Sequence, residues 1–456
     1  MYIIKNGSRD KTPEPKSRDQ AQPGNETQTG YHTPSGYDTP SSNHSTLSPT
    51  PSTPSPFTYT NVAETYLHWS NGEKVYLPSD PDLDIPVDEF FKQSYHDHIQ
   101  TQTLKHHDNH LLHNPSFLNV IQGELAHVSS LTKLEWVGST NATTCHVLAL
   151  WSTHNNDYNN KEPHHTLASL AHIDRVGYDS CLQAMVEQHL NHHNNQTDSS
   201  CNPPSSKRPR LTNSSTHTVS ASNNPVHIHV HLVGGFLDKA GLSQQLSTDL
   251  LWNLADLAHR YRAFAHFTLQ TCIISSVNNH PCLHSSLSQP AARGLMIHVK
   301  SGNVRILQSV PSALQGPCKL LREARLWSRS NQKLNIIFDH HTLTIRPFEY
   351  RFRSFFAYCF TLEKDELLRR TSTSPHCEAT DYCDIVCNTF KFMHDYPANT
   401  IFGPQLDKVW SFIFDANKWV RVNNSAKSTS KSWFDFVGWY FWNSRFILWV
   451  DIFQLT

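Results

Sequence analysis

The chain lacks an excess of charge, paired cysteines, phosphate-loop glycines and any long uninterrupted apolar run. Lys and Arg number 38, Asp and Glu 39, and the net charge is −1 with histidine neutral. No electrostatic pull toward nucleic acid or an anionic membrane follows, and neither is expected as a partner. The ten cysteines are scattered and none forms a CxxC pair, which fits free thiols in a reducing cytoplasmic or nuclear setting. The opening Met1-Tyr-Ile-Ile-Lys-Asn-Gly7 is too short and too quickly polar for a signal peptide. Gly234-Gly235 is not followed by Gly-Lys-Ser/Thr or GxGxxG, so it reads as a tight turn. The aromatic stretch from Trp433 to Phe453 is broken by Asp435, Asn443, Arg445 and Asp451, which argues against a spanning helix and a stable membrane association.

What is present divides the 456 residues into one globular part and several polar segments. Residues 1–7 read as a short strand. Residues 8–72 are rich in Ser, Thr and Pro and too poor in large apolar side chains to offset chain entropy, so disorder is expected. Seven Ser/Thr-Pro pairs there suit proline-directed kinases, or a tail without a role. A domain is expected over 73–424, interrupted by a second polar, disordered insertion at 191–225 that holds Lys207-Arg208-Pro209-Arg210, a weak nuclear-entry signal. Residues 425–456 read as an aromatic-rich extension outside the domain. Many of the 31 histidines sit beside Asn, which is compositional bias before it is metal binding.

Within the domain, strand-like runs surround 117–121, 125–128, 146–150, 167–173, 226–236, 267–277, 335–338 and 343–346. A hairpin is expected across Ser301-Gly302-Asn303. Helical spacing marks 182–190, 317–327, 384–395 and 242–265, the last placing Leu242, Leu246, Leu250, Leu254 and Leu257 on one side. The interleaving predicts an α/β (α+β) fold, a single sandwich of mixed sheet with flanking helices.

Cys145 stands in Gly138-Ser-Thr-Asn-Ala-Thr-Thr-Cys145-His146, just before the apolar run Val147-Leu-Ala-Leu150. A thiol at the mouth of a buried strand can be a nucleophile with backbone N–H groups beside it, although buried cysteines more often just pack. This run resembles the nucleophile segment of the protein N-terminal asparagine amidohydrolase family. Further blocks fit in the same order: His231-Leu-Val-Gly-Gly-Phe236 with Leu242-Ser-Gln-Gln-Leu246, then Ser372-Thr-Ser-Pro375 and the segment 384–397. Weaker matches lie at 122–126, 293–305 and 400–420.

The resemblance implies a fold related to Cys-His deamidases. It implies deamidation of N-terminal asparagine to aspartate with release of ammonia through a cysteine thioester, feeding the N-degron pathway of protein degradation. Its substrates would be proteins or peptides with a free N-terminal Asn. No cofactor is implied, and a monomer is expected. Cys145 aligns with the nucleophile and His172 with the histidine on the following strand, with His164 and His165 as nearby alternatives. Ser139 or Thr144 would orient the histidine or polarise the site, and the Cys145 N–H would meet the oxyanion. A free α-ammonium calls for an acid, since an unpaired cation is costly to desolvate. Glu124 is the candidate, Asp174 the alternative. His227, His229 and His231 alternate along one strand face, a legitimate metal geometry, but only His231 belongs to a matching block, where it would line the active-site face. The rival functions are an internal Gln/Asn side-chain deamidase and a noncatalytic, phospho-regulated scaffold.

Overall fold

The computed structural model describes residues 66–69, 74–76, 116–153, 165–175, 178–197, 225–281, 287–328 and 334–422. The expectations for 1–7, for the Ser/Thr-Pro pairs, for 207–210 and for 425–456 lie outside them.

The first strands are β1 (Tyr66–Trp69), β2 (Lys74–Tyr76), β3 (Phe117–Asn119), β4 (Glu124–Ser129) and β5 (Trp136–Ser139). Then come β6 (His146–Thr153), β7 (Thr166–Ile173), helix α1 (Asp179–Thr197), β8 (Val226–Gly234), α2 (Leu242–Arg260) and β9 (Ala265–Ile274). The short pair β10 (Asn279–Pro281) and β11 (Ser288–Pro290) precedes the expected hairpin, β12 (Leu295–His298) and β13 (Val304–Ile306). Helix α3 (Lys319–Leu326), β14 (Asn335–Asp339) and β15 (Thr342–Ile345) follow. Four helices close the second half, α4 (Ser354–Cys359), α5 (Lys364–Thr371), α6 (Tyr382–Asp395) and α7 (Ala398–Phe402), before β16 (Trp410–Asp415) and β17 (Lys418–Val422).

The principal sheet has 11 strands in the order β17-β16-β15-β14-β4-β7-β6-β8-β9-β1-β2. It is mixed: β6 runs antiparallel to β7 and β8, while β8 is parallel to β9 and β14 to β4. Alternation along the strands sends side chains to two cores. Leu148, Leu150, Ala171, Ile173, Ile228, Val230 and Leu232 pack with Leu182, Met185 and Val186 of α1 and Leu246, Leu250, Leu254 and Leu257 of α2. On the other face Ala126, Val128, Val147, Ala149, Ala168 and Leu170 meet Leu118, Val137, Leu295 and Ile297 of a second sheet, ordered β13-β12-β5-β3. Helices α4 and α6 add Phe356 and Phe390 to that same core. Helices, sheet, and a layer of sheet and helices are thus stacked in that order. Each large apolar side chain so buried contributes about 1.5–3 kcal/mol.

The mixed sheet with flanking helices matches the expected fold class, while the facing four-stranded sheet was not anticipated. Strand β1 falls inside the segment 8–72 expected to be disordered, pairing in parallel with β9. Helix α1 runs to Thr197, into the segment 191–225 expected as an insertion, because His193 is buried against Ser152 of β6. Leu242 is 48% exposed rather than on the apolar side of α2, since it opens the helix after Gly241 and lies off the buried stripe.

Candidate active site

Cys145 ends the loop that joins the two sheets, from β5 to β6. Asn141 in this loop adopts a left-handed backbone (φ 64°), and the next amide, Ala142 N–H, donates to the Arg293 carbonyl at 2.8 Å. From the other side the turn Gly234-Gly235 closes on the same point. A β-carbon at Gly234 would lie 2.5 Å from the Cys145 carbonyl oxygen, and one at Gly235 would lie 2.6 Å from the His146 ring. Both glycines also have positive φ, 116° and 64°, so side chains here would push the thiol-bearing segment away.

The strand register does the rest. Val147 of β6 pairs with His172 of β7. Cys145, two residues before Val147, therefore projects from the same face as His172, and both line one cavity of about 390 Å³. His146 points the opposite way, with its Nε2 2.8 Å from Ser247 Oγ on α2. The Nδ1 atom of His172 lies 2.8 Å from Ser139 Oγ, and both residues are buried. Its Nε2 is buried and has no hydrogen-bond partner among the described residues.

Burial sets the resting charge of the pair. It pushes the His172 imidazole down to about 4, against a smaller opposing pull from Asp174. It pushes the Cys145 thiol up, and the negative charges of Asp174 and Glu378 push in the same direction. Near neutral pH the site thus rests as a neutral thiol beside a neutral imidazole, rather than as a preformed ion pair.

The remaining expected residues separate clearly. Glu124 is not at an ammonium site. It is 1% exposed and bound by Arg322 through Nε at 2.9 Å and Nη2 at 2.5 Å, and it also accepts from the Ile121 N–H at 2.9 Å. Its charge is consumed by the core, and it does not line the cavity. Asp174 does line the cavity, but its oxygens accept from Arg175, Gln122 and Tyr178. Burial pushes its carboxyl up, yet those bonds outweigh burial and hold it below its ordinary value. Thr144 lies in the cavity wall, its hydroxyl 2.9 Å from that of Thr373. His231 shares the sheet face of His172 but lies outside the cavity, its Nδ1 3.0 Å from Thr271 Oγ1. His229 turns to Gln270 at 2.9 Å and the His227 ring lies tilted against that of His266 at 5.3 Å, so the three alternating histidines engage separate partners.

Sequence reasoning missed the far wall. Trp327, Tyr382, Ile385 and Val386 give the cavity an apolar side, with Trp327 held edge-on against Phe390 at 4.8 Å. Ser372, Thr373 and Glu378 supply a polar side. The matching block at 372–375 was the signal for this wall, although it carried no hint of the acid six residues beyond Ser372.

A sulfur and an imidazole sharing one cavity are equipment for breaking amides, and hydrolases acting on amides are the class to which this chain belongs. Residues 107–202 and 209–421 match the family model described as Protein N-terminal asparagine amidohydrolase, and the chain is a member of that family. It is 27% identical over 270 residues to the protein N-terminal asparagine amidohydrolase of Sus scrofa, covering 58% of this chain and 71% of that one. To the protein of the same name from Homo sapiens it is 26% identical over 291 residues, covering 63% and 78%. The family match ends at 421, before the aromatic-rich residues.

Proposed function

We propose that the chain deamidates the N-terminal asparagine of proteins and peptides, with Cys145 as nucleophile. The observation that supports this best is the placement of Cys145 and His172 on one face and in one cavity, with Ser139 behind the imidazole. The resting proton inventory then dictates the order of events. Cys145 Sγ attacks the side-chain carboxamide carbon as its proton passes to the open Nε2 of His172. Ser139 keeps the ring in place through Nδ1. The oxyanion accepts from the N–H groups of the Thr144–Cys145 turn. The imidazolium returns its proton to the departing nitrogen, and ammonia leaves. A water molecule gives a proton to Nε2 and attacks the thioester carbonyl. The carbon–sulfur bond breaks, the thiol is reprotonated, and aspartate remains. One water is consumed and one ammonia released.

The cavity also suits a cationic guest. Its walls carry Asp174, Glu323, Glu378 and Asp381 against Arg175 and Lys319. This favours a peptide's free N-terminus over an internal Asn or Gln, which has no charge to offer. The product, an N-terminal Asp, would feed an N-degron route to protein degradation in the cytoplasm or nucleus.

The test is ammonia release from an Asn-initiated peptide, free and N-acetylated, by wild type, Cys145→Ser and His172→Ala. Turnover confined to the free peptide, and lowered roughly 100-fold or more by either substitution, is expected. Equal turnover of the acetylated peptide would make the enzyme an internal deamidase. Undiminished turnover by Cys145→Ser would remove the nucleophile.

A further inference from the structure

Both flanks of the nucleophile loop lead back to one side chain that does not line the cavity, Asn278. It closes the short turn Ser275–Asn278 after β9 and is fully buried. Ser275 opens that turn with a left-handed backbone, φ 52°, a conformation that residues with a β-carbon avoid. The Asn278 carboxamide spends all its bonding on backbone. Its Nδ2 donates to the Gly235 carbonyl at 2.6 Å and to the Ala292 carbonyl at 2.8 Å, and its Oδ1 accepts from the Ala292 N–H at 2.7 Å. Exchanging a donor and an acceptor with one residue is what a strand does in a ladder, so this side chain acts as a piece of added backbone. The reversed carboxamide would set its oxygen against two carbonyls, which fixes its orientation.

From these bonds the catalytic groups are a few residues away. Gly235 adjoins Gly234, whose close approach leaves no space beside the Cys145 carbonyl. Ala292 adjoins Arg293, whose carbonyl accepts from the Ala142 N–H at 2.8 Å. Leu295, three residues on, pairs with Ser139, the residue that holds His172. Inside the loop, the Thr143 N–H reaches only as far as the Asn141 carbonyl, at 3.1 Å. The loop thus takes its position from the two outer anchors, and one carboxamide sets the distance between them.

We propose that Asn278 is a positioning residue for the reaction, fixing the Thr144–Cys145 turn so that its N–H groups meet the oxyanion. This rests on the function proposed above and deepens it. Those N–H groups must stand where the oxygen arrives in the transition state, not where it lies in the bound carboxamide. Removing the carboxamide unties the Gly235 turn from Ala292 and lets the loop relax away from that place.

The test compares wild type, Asn278→Ala and Asn278→Ser on an Asn-initiated peptide, at a temperature where circular dichroism shows each protein folded. Asn278→Ala should lower kcat roughly 10- to 100-fold with KM within about threefold of wild type, since displaced donors weaken the transition state and not the bound substrate. Serine can keep one of the donated bonds and should lose less, and it carries the same test if the alanine variant does not fold. Iodoacetamide needs the thiol but no oxyanion site, so with no substrate present its reaction at Cys145, read by mass spectrometry, should stay within about threefold of wild type. An unchanged kcat in a folded variant overturns the assignment. So does a kcat that falls by the same factor as the alkylation rate, because the whole site would then have moved. In either case the proposed reaction stands while wild type is active and Cys145→Ser is dead. If wild type releases no ammonia from the peptide, both are wrong.

Discussion

Ser139 and His172 come from different sheets, and their side chains meet at 2.8 Å between Oγ and Nδ1. The bond ties the four-stranded sheet to the principal sheet at the point where the imbalance of one proton would decide the chemistry. For Nε2 to receive the thiol proton it must be the bare nitrogen, so Nδ1–H donates to the serine oxygen. Ser139→Ala leaves that N–H buried without an acceptor and frees the ring to turn. The expected outcome is a kcat lowered roughly 10- to 100-fold with KM nearly constant. Steady-state ammonia release decides it, and an equal change in both parameters would deny the serine a role in orientation.

The pH profile follows from the neutral resting pair. His172 works as a base only when unprotonated, and burial takes its imidazole down to about 4. Burial also pushes the Glu378 carboxyl up, against the Ser372 hydrogen bond and the charge of Arg293, so one negative charge of the cavity wall is lost on the same acid side. The alkaline limb belongs to the substrate, whose α-ammonium deprotonates near pH 8, about the ordinary value for an amino terminus. Accordingly kcat/KM should fall below about pH 5 and above about pH 8 and be level between. A rise with pH through 6.5, as for an ordinary imidazole, would contradict the burial of His172.

The strands at Cys145 and His172 were legible because a strand that faces two cores reads as a continuous apolar run. Val147-Leu148-Ala149-Leu150 alternates between the two apolar clusters, and the same parity carries Cys145 to the side of His172. The role given to Glu124 failed because nothing in 122–126 announces a partner 198 residues later, Arg322. An acid beside a nucleophile segment looks alike in sequence whether it is paired in the core or open in a cavity. Glu378 was missed for the mirror reason, lying in an irregular segment between α5 and α6 without periodicity to place it. Of the four-stranded sheet, β3 and the hairpin β12–β13 were legible, but the strand that joins them, Trp136–Ser139, was not, since four residues are too short for alternation to speak.

Glu124 and Arg322 are each 1% exposed at the side chain, and the guanidinium also reaches the Asn119 carbonyl at 2.6 Å. This pair clamps β4 to α3 beside the strand that carries His172. Glu124→Gln would strand a cation in the core and should lower the unfolding free energy by about 3–5 kcal/mol, the usual effect of breaking one half of a buried ion pair. The double substitution Glu124→Leu with Arg322→Met should recover much of that loss. Urea unfolding of the wild type, Glu124→Gln and the double variant provides the measure, and a double variant less stable than Glu124→Gln would show that the residues do not act as a pair.

A chain of buried histidines and serines links the centre of the sheet to α1. His127 Nδ1 lies 2.7 Å from Ser169 Oγ, which lies 2.9 Å from His189 Nε2. His189 Nδ1 is 2.6 Å from Ser152 Oγ, which is 2.9 Å from His193 Nε2. Burial takes His127 down to about 4, with Asp339 opposing and His340 assisting, and it takes His189 well below its ordinary value, assisted by His127, His193 and His192. The unfolded chain binds these protons near pH 6.5, while the folded chain refuses them until far lower. Stability is therefore complete above about pH 6.5 and falls as the pH drops toward 4, at up to roughly 1.4 kcal/mol per pH unit for each such histidine. His127→Gln should remove one group from this sum, flattening the dependence of the unfolding free energy between pH 6 and pH 5 while leaving less stability at pH 7. An unaltered slope in the variant would mean that His127 binds its proton as readily in the folded chain as in the unfolded one.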